Sequence, residues 1–314
     1  PTQTPEQKRQ AFARQIWPEG SLPADKAEWF CQMYARLRPS NRTLIYFEPH
    51  IQREAEQYLL VGDTTDRQLT DGLVASLRVV GIDAEDHMRL LPDERVLGQR
   101  LFGACKATMA RTFAQPTESS TPQTQTLYGE PLFLLDRREG HYLAQAGDGY
   151  WGWMREETVE PMTREQFAAY TSLEPGILLE DITHEGLILR RGTRLPIGDV
   201  DVSGLNQWYQ LHLVDGGSVT VEQSGVEQIG DRPRLRRIEG SEAARERVLG
   251  ALRMLYTPYV YGARSPIGLD CSGMVAYLSE MTNLAIARDA SQQALAGRLV
   301  ATRWYRDGMR AGDF

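Results

Sequence analysis

Tyr256-Thr-Pro-Tyr-Val-Tyr-Gly-Ala-Arg-Ser-Pro-Ile-Gly-Leu-Asp270-Cys271-Ser272-Gly273-Met-Val275 is an aromatic, Gly- and Pro-rich loop that runs straight into an apolar segment. Met274, Val275, Tyr277, Leu278 and Met281 recur at helical spacing, so Cys271 is expected in or just before the first turn of a helix. Unpaired N–H groups and the positive end of the helix dipole gather at that position, and both favour thiolate over thiol. The thiolate is the attacking form of cysteine, which makes Cys271 a candidate nucleophile. A lone cysteine at a helix start is more often a small buried residue, but the surrounding loop outweighs that reading here.

The whole chain sets the bounds. Its 314 residues can hold two or more domains. Hydrophobic content of 41% and charged content of 25% are those of an ordinary globular protein. A net charge of −7 argues against nucleic acid or an anionic membrane as partner. No apolar stretch approaches the roughly 18 residues that span a bilayer. With neither an initiator Met nor a signal-like segment, Pro1-Thr2-Gln3 is expected to remain from a removed leader or tag. Three cysteines, Cys31, Cys105 and Cys271, are too few for a disulfide framework, although Cys31 and Cys105 can pair if the protein is exported. Five scattered histidines supply no metal-ligand spacing, and no metal or cofactor is expected.

Residues 1–115 read as a mixed, mostly helical domain. Helical spacing covers Glu6 to Ile16, Ala24 to Leu37 and Leu69 to Val80, the last ending at Gly81. Leu97, Leu101, Cys105 and Met109 form one stripe of a further helix expected over 93–113. The apolar runs 43–47 and 58–62 are candidate strands. This half shows no catalytic constellation, and His50 and His87 read as structural. The polar stretch 115–125, with two prolines, reads as a linker.

Tyr259, Tyr261, Gly262, Ser265, Pro266, Gly268, Asp270, Cys271, Ser272 and Gly273 reproduce a Tyr-x-Tyr/Trp-Gly-Gly/Ala-x-Ser/Thr-Pro-x-Gly-x-Asp-Cys-Ser-Gly pattern. In this the stretch resembles the NlpC-type cell-wall cysteine peptidases. A second family feature stands at Arg288-Asp-Ala-Ser-Gln-Gln293, and Gly312-Asp313-Phe314 is similar to the turn that opens the family's central sheet. The resemblance implies a papain-like α+β cysteine peptidase domain over 240–314, of which only the first half is present. The family's base histidine follows that turn, whereas every histidine here precedes Cys271, so this truncated chain is itself expected to be inactive.

Ahead of it, short β-type runs at 130–136, 141–145 and 150–154 alternate with turns at 138–140 and 147–149, the pattern of a small antiparallel barrel. Leu127 to Glu130 and Asp148 to Trp153 resemble a bacterial SH3-like module over 122–172. Runs at 186–190, 207–213 and 218–221 suggest a second over 173–232, with an enlarged loop from Gly198 to Leu205. Asp231 to Arg237 reads as a basic, solvated connector. The fold class is thus multidomain α+β: a mostly helical N-terminal domain, two SH3-like barrels and the papain-like domain.

The resemblance further implies cleavage of the γ-D-glutamyl–diamino acid bond of peptidoglycan stem peptides through a thioester on Cys271. Asp270 and Ser272 match positions that hold the free amine of an N-terminal L-Ala, and a carboxylate suits an ammonium group; capping of the cysteine helix accounts for Asp270 equally well. Tyr259 matches a cleft-lining tyrosine. Arg288 matches an arginine near the cleft, suited to a substrate carboxylate, and reads equally well as a surface arginine at a helix start. Ser291 faces the substrate or caps the helix of 292–295. Tyr128 either lends its ring to the cleft or packs a barrel corner. The rival readings are a wall-peptide binding protein with a relic cysteine domain, and an amidase or acyltransferase on the same scaffold. A wall substrate implies a periplasmic or secreted protein, and imported peptides a cytoplasmic one.

Overall fold

The computed structural model describes residues 4–18, 20–38, 44–55, 57–203, 206–228, 241–282, 284–296, 298–301 and 308–310. These fall into two compact units, Pro1–Val96 and Leu97–Phe314. The connector at 231–237 and the turn at 312–314 lie outside the described residues.

In the first unit α1 (Pro5–Ile16) starts at Thr4, whose hydroxyl accepts from the Gln7 N–H while Gln7 reaches back, a capping box with Pro5 at the first helical position. α2 (Ala27–Leu37) turns Phe30, Cys31 and Tyr34 inward. β1 (Phe47–Glu54) and β2 (Gln57–Thr64) pair as an antiparallel hairpin, and α3 (Arg67–Val79) crosses to β3 (Ala84–Leu90), which runs parallel to β2. The helices cover one face of this sheet, where Phe30, Tyr34, Leu60, Leu73 and Leu77 are almost fully buried. β3 has no counterpart among the sequence expectations. The run 58–62 lies inside β2, whereas 43–47 meets β1 only at Phe47, and Thr43 falls outside the described residues.

The helix expected over 93–113 is overturned. Only α4 (Glu94–Leu97) is helical there; β4 (Phe102–Cys105) and β5 (Met109–Phe113) follow. The four-residue spacing of Leu97, Leu101, Cys105 and Met109 was a local signal, and partner strands outcompete it. Gly103 shows why: a Cβ there would stand 2.7 Å from the Glu160 carbonyl of the neighbouring strand. The stretch 115–121, expected as a linker, joins β5 to the strand paired with it and so lies inside the second unit.

That unit holds a seven-stranded sheet built from β4, β5, β6 (Pro122–Leu127), β7 (Pro131–Arg138), β8 (His141–Gln145), β9 (Trp151–Arg155) and β10 (Val159–Met162), in the order β10-β4-β7-β8-β9-β5-β6. Helix α5 (Arg164–Ser172) follows, closed at its start by a Thr163–Gln166 capping box. A five-stranded sheet takes β11 (Pro175–Leu178), β14 (Arg194–Ser203), β15 (Asn206–His212), β16 (Ser218–Glu222) and β17 (Val226–Gln228), with β12 (Ile182–His184) and β13 (Leu187–Leu189) as a side hairpin. The antiparallel runs and the turn at Glu139-Gly140, both at positive φ, are where the pattern put them. Closed barrels are not: each sheet ends on two edge strands, and β14 extends through 198–203, where an enlarged loop was expected. A register shift between Ile197 and Val200 absorbs the extra length.

The chain then forms α6 (Ser241–Arg253), a two-residue-per-strand hairpin of β18 (Arg264–Ser265) and β19 (Gly268–Leu269), α7 (Cys271–Glu280) and α8 (Ala290–Ala296). Among the described residues no helix is long and apolar enough to cross a membrane. The architecture is mixed α+β.

One backbone constraint in the first unit is sharp enough to test. Gly62 sits at φ +123 on β2, and a Cβ there would lie 2.0 Å from the Glu48 carbonyl of β1. Gly62→Ala is expected to cost about 2–3 kcal/mol in urea unfolding. An unchanged midpoint would contradict the backbone assignment.

Candidate active site

The corner from β19 into α7 is built around one carboxylate. Asp270 is extended at φ −99 and ψ −178 and stands as N-cap, so Cys271 is the first residue of α7. One Asp270 oxygen accepts from the Gly273 N–H at 2.7 Å and from Arg288 Nη1 at 3.0 Å. The other accepts from the Gly262 N–H at 2.9 Å and from Arg288 Nη2 at 2.6 Å. Arg288 Nη1 also donates to Ser272 Oγ at 2.8 Å. Both charged side chains are nearly sealed, at 3% exposure for Arg288 and 7% for Asp270. Burial works against ionisation of Asp270, but Arg288 and the Gly273 and Gly262 N–H groups outweigh it and hold the carboxyl below its ordinary range.

Gly273 is fixed by contact rather than by dihedral angle. A Cβ there would stand 2.1 Å from the Ala263 carbonyl, so only glycine lets the first turn of α7 close on the loop. Gln293 of α8 braces the same turn, its amide donating to the Ser272 carbonyl at 3.0 Å and the Ala287 carbonyl at 2.8 Å. Cys271 is left exposed above this framework, whereas Cys31 and Cys105 are free and buried in the cores of their own units. Burial pushes the Cys31 and Cys105 thiols up to about 12 and about 11. Cys271 is therefore the one accessible thiol of the chain. Tyr259 is also exposed; slight burial and then the neighbouring Cys271 and Asp270 push its phenol up.

The structure gathers Asp270, Cys271, Ser272, Tyr259 and Arg288 into one group, yet it changes what some of them can do. Asp270 has its lone pairs engaged by Arg288 and two N–H groups, and Arg288 spends its charge on Asp270 rather than facing a substrate carboxylate. Ser291 does not cap α8: the helix begins at Ala290, and the Asp289 carbonyl accepts from the Gln292 and Gln293 N–H groups. Tyr128 lies elsewhere. It is 2% exposed, its hydroxyl accepts from the Val214 N–H at 3.1 Å, and it packs with Leu195 and Tyr209. Of the two readings the geometry supports packing, against residues of the five-stranded sheet rather than at the corner of a closed barrel.

Sequence reading passed over Tyr150, which approaches the site from the first sheet. Its hydroxyl bonds to Asp289, and burial followed by that carboxylate drives its phenol far up. The Asp148-Gly-Tyr-x-Gly-Trp pattern held the signal, but only the fold brings it to residue 289. The histidines stand apart from this network. His50 and His87 pair with Glu28 and Glu85 in the first unit. His141 bonds to the Glu139 carbonyl, His184 lies on β12, and His212 abuts Gly198 on the next strand. Among the described residues no group of three His, Cys, Asp or Glu side chains is placed to hold a metal.

Comparison with known proteins matches the stretch of chain that holds these residues. Residues 256–314 match the NlpC/P60 family, and residues 113–159 match the bacterial dipeptidyl-peptidase SH3 domain. Over 203 residues the chain is 26% identical to a gamma-D-glutamyl-L-lysine dipeptidyl-peptidase of Bacillus subtilis, covering 61% of this chain and 62% of that protein. A protein of the same name from Bacillus cereus is 24% identical over 199 residues, 58% of this chain and 56% of its own length. The chain thus spans less than two thirds of the length of these curated relatives. A crystal structure of an NlpC/P60 family protein from Bacillus cereus matches with a TM-score of 0.54 at 17% identity, over 67% of this chain and 81% of that one, a likeness of fold.

Removing one partner of a sealed ion pair leaves the other charge stranded. Arg288→Met is expected to cost about 3–5 kcal/mol at neutral pH. Because Asp270 is depressed in the folded state, its stabilisation is present above the ordinary value of 3.8 and fades as pH falls below it. The gap between wild type and variant in urea titrations should therefore shrink in acid. A gap of equal size at pH 7 and pH 3 would remove the pair as its cause.

Proposed function

We propose that this chain carries the nucleophile of a peptidoglycan-peptide hydrolase that cleaves the bond between γ-D-Glu and the diamino acid of the stem. The observation that supports it most is the exposed Cys271 thiol at the first position of α7, held by a buried Asp270–Arg288 pair beneath it. The names of the relatives favour the same bond class.

In this mechanism the Cys271 thiolate attacks the γ-carbonyl carbon of D-Glu. The C–N bond to the diamino acid breaks, the departing nitrogen takes up a proton and leaves as an amine, and a thioester remains. Water then adds to the thioester carbonyl and expels the thiolate, releasing a peptide that ends in D-Glu. The Cys271 N–H, at the first position of α7, is the donor for the developing oxyanion in this reading. The helix dipole favours the oxyanion. Proton transfer from the thiol calls for a base, which the family resemblance assigns to a histidine after the 312–314 turn, outside the described residues.

Selectivity for a free N-terminal L-Ala needs an anionic group for its ammonium. Asp270, balanced by Arg288, is poorly suited, so we assign that contact to Asp289 with the Tyr150 hydroxyl beside it. In this reading a wall substrate would be met in the periplasm or outside the cell, and imported wall peptides in the cytoplasm.

The decisive assay uses the full-length protein on L-Ala-γ-D-Glu-diaminopimelate, with products read by mass spectrometry. Cleavage should yield L-Ala-D-Glu and free diamino acid, and Cys271→Ala should lower the rate by at least about a thousandfold. Undiminished turnover by Cys271→Ala would overturn the mechanism. Equal rates on the N-acetylated substrate would overturn the Asp289 assignment alone.

A further inference from the structure

A second buried ion cluster lies away from the nucleophile, where the first sheet meets the β18–β19 hairpin. Arg264 of β18 is 5% exposed. Its Nε donates to the Gln125 carbonyl of β6 at 2.9 Å, and its backbone N–H to the Gln125 side chain at 3.1 Å. Nη1 donates to both oxygens of Glu280, the last residue of α7, at 3.3 Å each. Nη2 donates to Glu130, in the turn between β6 and β7. Asp148, in the turn between β8 and β9, stands 3.5 Å from Nε and also accepts from Thr124 Oγ1 at 2.6 Å.

The charges do not balance. One guanidinium faces three carboxylates, of which Glu130 is 14%, Asp148 5% and Glu280 31% exposed. Arg194 of β14 adds a second cation at the margin, its Nη2 donating to the Glu280 carbonyl at 3.2 Å. The Cys105 thiol of β4 also faces Glu130, and the Tyr170 hydroxyl of α5 donates to the adjoining Gly129 carbonyl at 3.1 Å. A dry junction with surplus negative charge lowers its free energy by binding a proton.

We infer that this cluster is a proton-linked latch: it fastens the first sheet to the hairpin that carries Asp270 and Cys271, and it takes up a proton at Glu130 when it closes. Glu130 is the member suited to hold it. Burial first, then the nearness of Glu280 and Asp148, outweigh Arg264 and Arg194 and bring its carboxyl to about 7. That folded value lies above the ordinary 4.5, so the stabilisation is fully present below 4.5 and is lost as pH rises through about 7. The latch is closed in mild acid and strained in alkali. Both ends of α7 are then held by ion pairs, Asp270 with Arg288 at the start and Glu280 with Arg264 at the finish. The inference touches turnover only through the reading of Cys271 as nucleophile, and its test requires no turnover.

The test is the thermal midpoint of the full-length protein between pH 5 and pH 8.5, for wild type, Glu130→Gln and Glu280→Gln. The readout is the difference between each variant and wild type, in which contributions common to both cancel. With Glu130→Gln, which keeps the shape and cannot lose a proton, the difference should move in the variant's favour as pH rises through about 7. With Glu280→Gln, removal of a neighbouring negative charge should lower the proton affinity of Glu130, seen as a decline that is smaller than in wild type and ends at lower pH. Hydrogen exchange localises the effect: amides of 122–130 and 262–270 should lose protection in alkali in wild type and keep it in Glu130→Gln. A Glu130→Gln difference that is flat with pH overturns the latch. If that variant does not fold, an unshifted decline in Glu280→Gln does so.

Discussion

A sealed charge pair beneath Cys271 is the constraint on which the site depends. Desolvating Asp270 and Arg288 is costly, and their attraction offsets it only because the contacts are bidentate and the remaining lone pairs are filled by backbone N–H groups. That requirement fixes much else. The Gly262 and Gly273 N–H groups must converge on one carboxylate, and the first turn of α7 must come close enough to the Ala263 carbonyl that residue 273 has no side chain. Cys271 inherits its place from these demands, at the end of the helix where N–H groups are free.

The pair also explains why residues that match a family's binding positions need not bind in the same way. A carboxylate saturated by a guanidinium has little left for an ammonium, and a guanidinium so engaged has little left for a substrate carboxylate. The neighbouring carboxylate of Asp289 is instead met by the Tyr150 hydroxyl. The cysteine segment and the two sheets form one compact unit, and polar side chains cross between them: Arg264 to Gln125 and Glu130, Arg194 to the Glu280 carbonyl. Such contacts give register and orientation more than stability, since each must first repay its own desolvation.

The first unit stands on different physics. It closes around an apolar core of Phe30, Tyr34, Leu60, Leu73 and Leu77 with helix caps at Thr4 and Asp66, and it lies outside both family matches.

What the sequence by itself determined is what local chemistry encodes. The start of α7 at Cys271, the three helices of the first unit and the turn at Glu139-Gly140 each follow from spacing, caps or turn residues within a few positions of one another. Local signals failed where the competing partner was distant. Residues 102–113 carry a helical stripe but become strands because β7, β9 and β10 supply hydrogen bonds. Tyr128 and Tyr150 both sat in recognisable SH3-like motifs, and nothing within either motif says which one is buried against Val214 and which reaches Asp289. The partner of Asp270 is 18 residues away, and that of Arg264 in the first sheet is 134. Tertiary structure alone decided those pairings, because a buried charge is stable only beside a counter-charge that the folded chain brings to it.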